Sequence, residues 1–61
     1  MTERQRETLG AARAVFPRWF RARRNGERVV LANLYRKNYL ERRVRRGVEG
    51  DPDAAYEYRP R

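Results

Sequence analysis

Arginine is the residue type in this sequence with the clearest chemical use. The 61-residue chain carries 16 basic side chains, all but one of them arginine, against 8 acidic ones, which gives a net charge of +8. The planar guanidinium group binds phosphate and carboxylate groups through paired hydrogen bonds. Codon preference is one explanation for the excess of arginine over lysine, but it does not explain the net charge. We therefore expect a negatively charged partner.

The side chains that usually carry catalysis are missing. Histidine, cysteine and serine are absent from the sequence. Their absence excludes a disulfide framework, a zinc finger and any Cys/His nucleophile–base pair. No glycine-rich phosphate loop with a following Lys-Ser/Thr is present either. We expect a protein that is not an enzyme and that needs neither a cofactor nor a metal.

One candidate binding cluster lies in the second half of the chain, where four of the five residues from 42 to 46 are arginine. On a helix, Tyr35, Tyr39, Arg42 and Arg46 share a face at spacings of 4, 3 and 4 residues. Tyrosine would stack on bases and arginine would contact phosphates. The predicted contacts are Tyr35, Arg36, Tyr39, Arg42, Arg43, Arg45 and Arg46. The alternative is that both tyrosines belong to the core and that the arginines form a solvated face.

A second basic cluster surrounds the Asn25-Gly26 dipeptide. Its members are Arg18, Arg21, Arg23, Arg24 and Arg28. A positively charged turn would clamp phosphates and position a nucleic acid without reading its sequence. The alternative is charge complementarity at a helix C-terminus, which needs only one or two of these five arginines.

The positions of these clusters depend on two predicted helices. Thr2 and Gln5 have the spacing of a capping box. Behind them, apolar residues recur with helical period at Leu9, Ala12, Phe16, Trp19 and Phe20. Trp19 falls on this stripe, so we predict that it anchors the core rather than stacking on a ligand. Pro17 predicts either a kink or a break with a second short helix beginning there.

Asn25-Gly26 has two interpretations. Arginine before a residue of positive φ is typical of a helix C-terminus, and the same pattern recurs before Gly47. Between alternating residues, the dipeptide would instead form a β-hairpin turn. The first interpretation leads to one long helix from 27 to 46, with a Lys37–Glu41 pair within its apolar side. The residues of that side are Val29, Val30, Leu34, Leu40, Val44 and Val48.

The predicted fold is therefore mainly α: a kinked N-terminal helix and a long second helix packed as a helical hairpin, followed by a short irregular C-terminal tail. The alternative is an α+β fold with a hairpin turning at Asn25-Gly26. Residues 1–48 would form a single small basic helical domain. Residues 49–61 would be an acidic, tyrosine-containing tail that serves for solubility or folds back on the arginines through Glu49, Asp51, Asp53 and Glu57.

The main functional hypothesis is a small, non-catalytic protein that binds DNA or RNA. The alternative is an accessory subunit or inhibitor that docks on the acidic surface of a larger protein complex. No apolar run is long enough to cross a membrane, and the N-terminal residues lack the apolar stretch of a signal peptide, so we expect a cytoplasmic protein. A chain of 61 residues has a small core, so we also expect a homo-oligomer or a part of a larger assembly.

Overall fold

The computed structural model describes residues 1–44 and 56–61, which form two helices and a two-stranded antiparallel sheet. The helices are α1, Glu3–Ala14, and α2, Asn25–Arg36. The strands are β1, Leu40–Val44, and β2, Tyr56–Pro60. The predicted mainly-α hairpin is therefore wrong, because the second helix is followed by a strand. An α+β class, which was the alternative, fits the structure.

The start of α1 confirms the capping box. The Thr2 backbone N–H donates to Gln5 Oε1 at 2.9 Å, and the Gln5 N–H donates to Thr2 Oγ1 at 3.1 Å. The helix ends at Ala14, ahead of a cis peptide bond between Phe16 and Pro17. The kinked helix was thus a wrong prediction. The chain breaks before Pro17, and residues 15–18 form turns instead of a second helix.

Both interpretations of Asn25-Gly26 are wrong. Asn25 is the first residue of α2, and Arg24 occupies its N-cap without a side-chain hydrogen bond to the helix. Neither a helix C-terminus nor a hairpin turn forms at this dipeptide. Gly26 lies against the guanidinium of Arg4, where a Cβ atom would overlap with it. The absence of a side chain at Gly26 therefore leaves room for the end of the Arg4 side chain.

The second helix stops ten residues earlier than the sequence pattern indicated. Asn38 adopts a left-handed backbone with φ of 68°. The Tyr39 N–H donates to the Leu34 carbonyl and the Asn38 N–H donates to the Tyr35 carbonyl, each at 3.0 Å. This is the Schellman arrangement, in which the residue after the C-cap, usually Gly and sometimes Asn, has positive φ. It turns the chain out of α2 and directly into β1, so Lys37 and Glu41 do not form a helical pair.

The sheet is completed by residues that the sequence placed in an irregular tail. In β1 and β2, Leu40 pairs with Pro60, Arg42 with Tyr58 and Val44 with Tyr56. Phe20 adds an isolated bridge on the other side of β2, through mutual backbone hydrogen bonds with Tyr58 of 2.6 and 2.7 Å. The described part of the tail, residues 56–61, is therefore an integral strand. The segment of the tail with Glu49, Asp51 and Asp53 lies outside the described residues.

The core draws on all four elements. Its buried members are Leu9, Ala12, Val30, Leu31, Leu34, Leu40 and Tyr58. Phe20, Ala22, Tyr35 and Tyr56 are half-buried and pack against it. The predicted apolar stripe of α1 is right at Leu9 and Ala12 but wrong at Phe16, which is 56% exposed. Val44 was predicted on the apolar side of a helix but lies on β1 and is 65% exposed.

Candidate functional site

A groove of about 520 Å³ lies beside the segment that joins α1 to α2. We call it the basic groove; its lining residues are Val15, Arg18, Trp19, Phe20, Arg21, Arg23 and Glu57. Three of these are exposed arginines and three are apolar. The groove therefore combines a positive charge with an apolar surface of the kind that receives a hydrophobic side chain.

A neighbouring depression of about 420 Å³ extends this surface toward the start of α2. It shares Val15, Phe20 and Arg23 with the basic groove and adds Arg24 and Glu27. Within the described part of the chain, none of Arg18, Arg21, Arg23 and Arg24 forms an ion pair. Among the described residues, no carboxylate therefore competes with an external anion for these four charges.

The backbone explains why these residues are held in place although they lie in a connecting segment. The Arg18 N–H donates to the Val15 carbonyl at 2.8 Å and closes the turn after α1. Two residues further on, the bridge between Phe20 and Tyr58 attaches the segment to the sheet. The arginines on either side of Phe20 thus extend from an anchored backbone.

The outer face of the sheet carries a second arrangement of arginine. Arg43 Nε lies 3.2 Å from Glu57 Oε1, and Arg59 forms an ion pair with Glu41 across the two strands. Trp19 covers both pairs, with its ring centroid 4.2 Å from Arg43 Cζ and 4.5 Å from Arg59 Cζ. Trp19 is therefore half-buried against arginine side chains, and the prediction that it anchors the core is wrong.

On the other face of β1, Arg42 lies between two aromatic rings. Its Cζ atom is 4.3 Å from the ring centroid of Tyr35 and 4.2 Å from that of Tyr56. Tyr35 also meets Tyr58 edge to face, with a centroid distance of 6.4 Å. Guanidinium groups stack favourably on aromatic faces. The guanidinium of Arg42 thus makes cation–π contacts with two rings at once.

Next to Arg42 is a smaller cavity of about 160 Å³, which we call the arginine cleft. Its lining residues are Ala22, Arg28, Ala32, Arg36, Arg42, Tyr56 and Tyr58. On α2, Ala32 lies four residues from Arg28 and four from Arg36, so these three share one side of the helix. The small side chain of Ala32 leaves space between the two arginines.

The structure divides most of the predicted site residues among the basic groove, the adjoining depression and the arginine cleft. Arg18, Arg21 and Arg23 come together at the basic groove, with Arg24 in the adjoining depression. Arg28 joins Arg36 and Arg42 at the arginine cleft, beside Tyr35.

The remaining predicted residues do not join these sites. Arg43 is paired on the outer face of the sheet, while Tyr39 is 40% exposed just before β1. Arg45 and Arg46 lie outside the described residues. The single helical face expected to carry Tyr35, Tyr39, Arg42 and Arg46 does not form, because α2 ends at Arg36.

Three contributions to these sites were missed by the sequence analysis. Tyr56 stacks on Arg42, Trp19 lines the basic groove, and Ala32 opens the arginine cleft. Tyr56 belongs to the run Tyr56-Glu57-Tyr58-Arg59, whose period of two is a strand signal that could have placed it opposite another strand. No comparable signal in the sequence marks Ala32.

No helix in the described ranges, residues 1–44 and 56–61, is long and apolar enough to cross a membrane.

No protein-family model matches the chain, and comparisons with curated proteins and with solved structures gave no significant match. The candidate sites therefore have to be interpreted from their own residues.

Proposed function

We propose that this protein is a small, non-catalytic binding module that docks on an acidic segment of a larger protein through the basic groove. The observation that supports this most directly is the composition of the groove, where exposed Arg18, Arg21 and Arg23 surround Val15, Trp19 and Phe20. Arginine and aromatic residues are enriched in protein interfaces, whose centres are desolvated and apolar. A partner segment with carboxylates around one hydrophobic side chain would satisfy both features.

Nucleic acid, either DNA or RNA, is the second candidate. In its favour are the net charge of +8 and the arginine cleft, where three arginines are close to tyrosine. Against it, one face of the Tyr35 ring is already covered by Arg42, and Tyr35 is half-buried. Base stacking requires an accessible ring, so Tyr35, one of the two tyrosines expected to stack on bases, is less suited to that role than the sequence indicated.

The experiment uses the fluorescence of Trp19, the only tryptophan in the chain, which lines the basic groove. We would titrate the full-length protein with a glutamate-rich peptide that contains one leucine or phenylalanine, and with the same peptide carrying alanine at that position. The expected result is a saturable change in Trp19 emission that weakens when the apolar residue is removed. Addition of salt should weaken binding of both peptides, because ion pairs at an exposed surface are screened.

A charge-reversal variant tests whether the groove itself is responsible. Arg21→Glu with Arg23→Glu should weaken peptide binding at least tenfold. Arg6→Glu with Lys37→Glu changes the net charge by the same amount at exposed positions outside the groove, so it should retain most of the affinity. If both double variants lose affinity equally, the effect is one of net charge and the proposed docking site is wrong.

The same titration separates the two candidate functions. A nucleic-acid protein that neutralises about six phosphates of duplex DNA should show a slope of about −5 in log K against log salt. If an oligonucleotide binds with such a slope and displaces the peptide, the second candidate replaces the first.

A cytoplasmic location, and membership of a homo-oligomer or larger assembly, belong to this proposal and can be examined by cell fractionation and analytical ultracentrifugation.

A further inference from the structure

The arginine cleft has features that the docking proposal does not use. The cleft is separate from the basic groove, and the two share no lining residue. Its residues come from α2, β1 and β2 and from Ala22 in the connecting segment. Two elements, α2 and β1, therefore bring arginines to one small cavity, although like charges repel each other.

Arg42 is the best-positioned of these arginines. The rings of Tyr35 and Tyr56 hold its guanidinium at 4.3 and 4.2 Å. Arginine is a flexible side chain whose ordering on binding normally costs conformational entropy. Contact with two rings imposes part of that order before any ligand arrives, so hydrogen bonds from the guanidinium cost less to form.

Two arginines of the cleft have no ion pair within the described part of the chain. Among the described residues, neither Arg36 nor Arg42 has a carboxylate within ion-pair distance. By contrast, Arg43 and Arg59, the other arginines of the two strands, are both paired with glutamate. The strand arginine that lines the cleft is thus the one without a carboxylate partner.

The size of the cleft limits what can enter it. Its volume of about 160 Å³ is well above the roughly 10–15 Å³ that one water molecule requires. A tetrahedral oxyanion fits this space. Ala32 keeps the cleft open, because a longer side chain between Arg28 and Arg36 would occupy it.

We propose that the arginine cleft is a binding site for a doubly charged phosphate group, held by the guanidinium of Arg42 together with that of Arg36. A phosphate monoester carries a charge of about −1.5 to −2 at neutral pH and offers three acceptor oxygens. Arginine binds such a group through two parallel hydrogen bonds. The ligand is a terminal phosphate, either free or attached to a small molecule.

The test is a nuclear magnetic resonance titration of the full-length, ¹⁵N-labelled protein with inorganic phosphate at pH 7.5 and constant ionic strength. The Nε–Hε signals of Arg36 and Arg42 should shift saturably, with a dissociation constant on the order of 1 mM for an exposed site of this size. The Arg6 signal, from an exposed position on α1, should not. Shifts that stay linear with concentration, or that are equal for all arginines, would overturn the proposal.

Two variants distinguish a specific site from general attraction to positive charge. Arg42→Lys keeps the charge but removes the planar pair of donors, so phosphate affinity should fall at least tenfold, whereas Arg6→Lys should leave it unchanged. Ala32→Leu removes no charge and fills the cleft, and it should cause a similar loss. Backbone amide spectra establish that each variant is folded. If Arg42→Lys does not fold, the Ala32→Leu result decides, and unchanged affinity in that variant contradicts the proposal.

Two further probes identify the source of the phosphate. Adenosine monophosphate should compete with inorganic phosphate at the same signals, because both present a terminal dianion. A single-stranded oligonucleotide without terminal phosphates presents only singly charged diesters and should compete poorly. If it instead shifts the Arg42 signal at lower concentration, the cleft binds a nucleic-acid backbone and the assignment to a terminal phosphate is wrong. The Trp19 titration is unaffected by this outcome, so the two proposals can fail separately.

Discussion

At the scale of single residues, this fold uses arginine in two distinct ways. Arg43 and Arg59 are paired with glutamate and stacked on Trp19, whereas Arg18, Arg21 and Arg23 are exposed at the basic groove. The two ion pairs are partly exposed, with side-chain exposures of 52% and 20% in one and 34% and 36% in the other. Pairs of this kind contribute only about 0–1 kcal/mol each. We therefore attribute more of the stabilisation on this face to the ring of Trp19.

Replacing Trp19 by leucine should lower the free energy of unfolding by about 1–2 kcal/mol. The substitution removes two cation–π contacts, each contributing about 0.5–1 kcal/mol at an exposed site, while it keeps an apolar side chain. Phe16→Leu is the matched control from the same segment. Phe16 is 56% exposed, and its ring centroid lies 6.0 Å from Arg59 Cζ. Its replacement should therefore cost less than about 0.5 kcal/mol.

Urea unfolding followed by far-ultraviolet circular dichroism measures both variants without relying on tryptophan emission. Equal, small losses in the two variants would show that stacking on Trp19 does not stabilise the sheet. A loss from Trp19→Leu above about 3 kcal/mol would instead have the size of a core deletion, and the original interpretation of Trp19 as a core anchor would then regain support.

At the scale of elements, the sequence predicted helix starts more reliably than helix ends. The capping box of Thr2 and Gln5 is local, so it could be identified from residue types and spacing alone. The end of α2 depends on Asn38 in a left-handed conformation, for which asparagine is a weaker signal than glycine. Because this signal at Asn38 was missed, Leu34, Leu40 and Val44 were predicted to lie on one helix, although they belong to α2 and β1.

The candidate sites show the same division between local and long-range information. Their residue types were identified, because twelve basic and aromatic side chains concentrated in two segments are visible in the sequence itself. Their grouping was not, because it depends on pairing between strands 16 residues apart at Arg42 and Tyr58. Such a register sends alternate residues to opposite faces. As a consequence, neighbouring Arg42 and Arg43 belong to different surfaces.

The helix caps provide a prediction at this scale. Thr2→Ala should lower the free energy of unfolding by about 1 kcal/mol, because it removes the N-cap hydrogen bond of α1. Arg24 is the N-cap of α2, has extended backbone angles and makes no side-chain capping bond. Arg24→Asn should therefore stabilise the protein by about 0.5–1 kcal/mol. Both are measured by urea unfolding, and a destabilising effect of Arg24→Asn would contradict the capping geometry at the start of α2.

At the scale of the whole molecule, stability depends on cooperation among elements that are individually weak. A domain of about 60 residues buries only about 60% of its unfolded surface, and two strands alone are marginal in water. The core is assembled from Leu9 and Ala12 of α1, Leu31 and Leu34 of α2, and one residue from each strand. None of these elements encloses an apolar surface by itself.

The contribution of β2 can be tested by truncation after residue 55. The deletion removes Tyr58, which is 5% exposed in the core and bridges to Phe20, and it leaves β1 without its partner. We expect the truncated chain to lose cooperative unfolding and most of its helical circular dichroism signal, since isolated 12-residue helices are marginal in water. Arg61→Ala is the control, because it retains the backbone bond to Tyr39 and removes only the side-chain bond from Arg61 Nε to the Leu40 carbonyl. A truncated chain that still unfolds cooperatively would mean that residues 1–55 contain enough core to fold. In that case, the contact of Tyr56 with Arg42 would not be needed for folding.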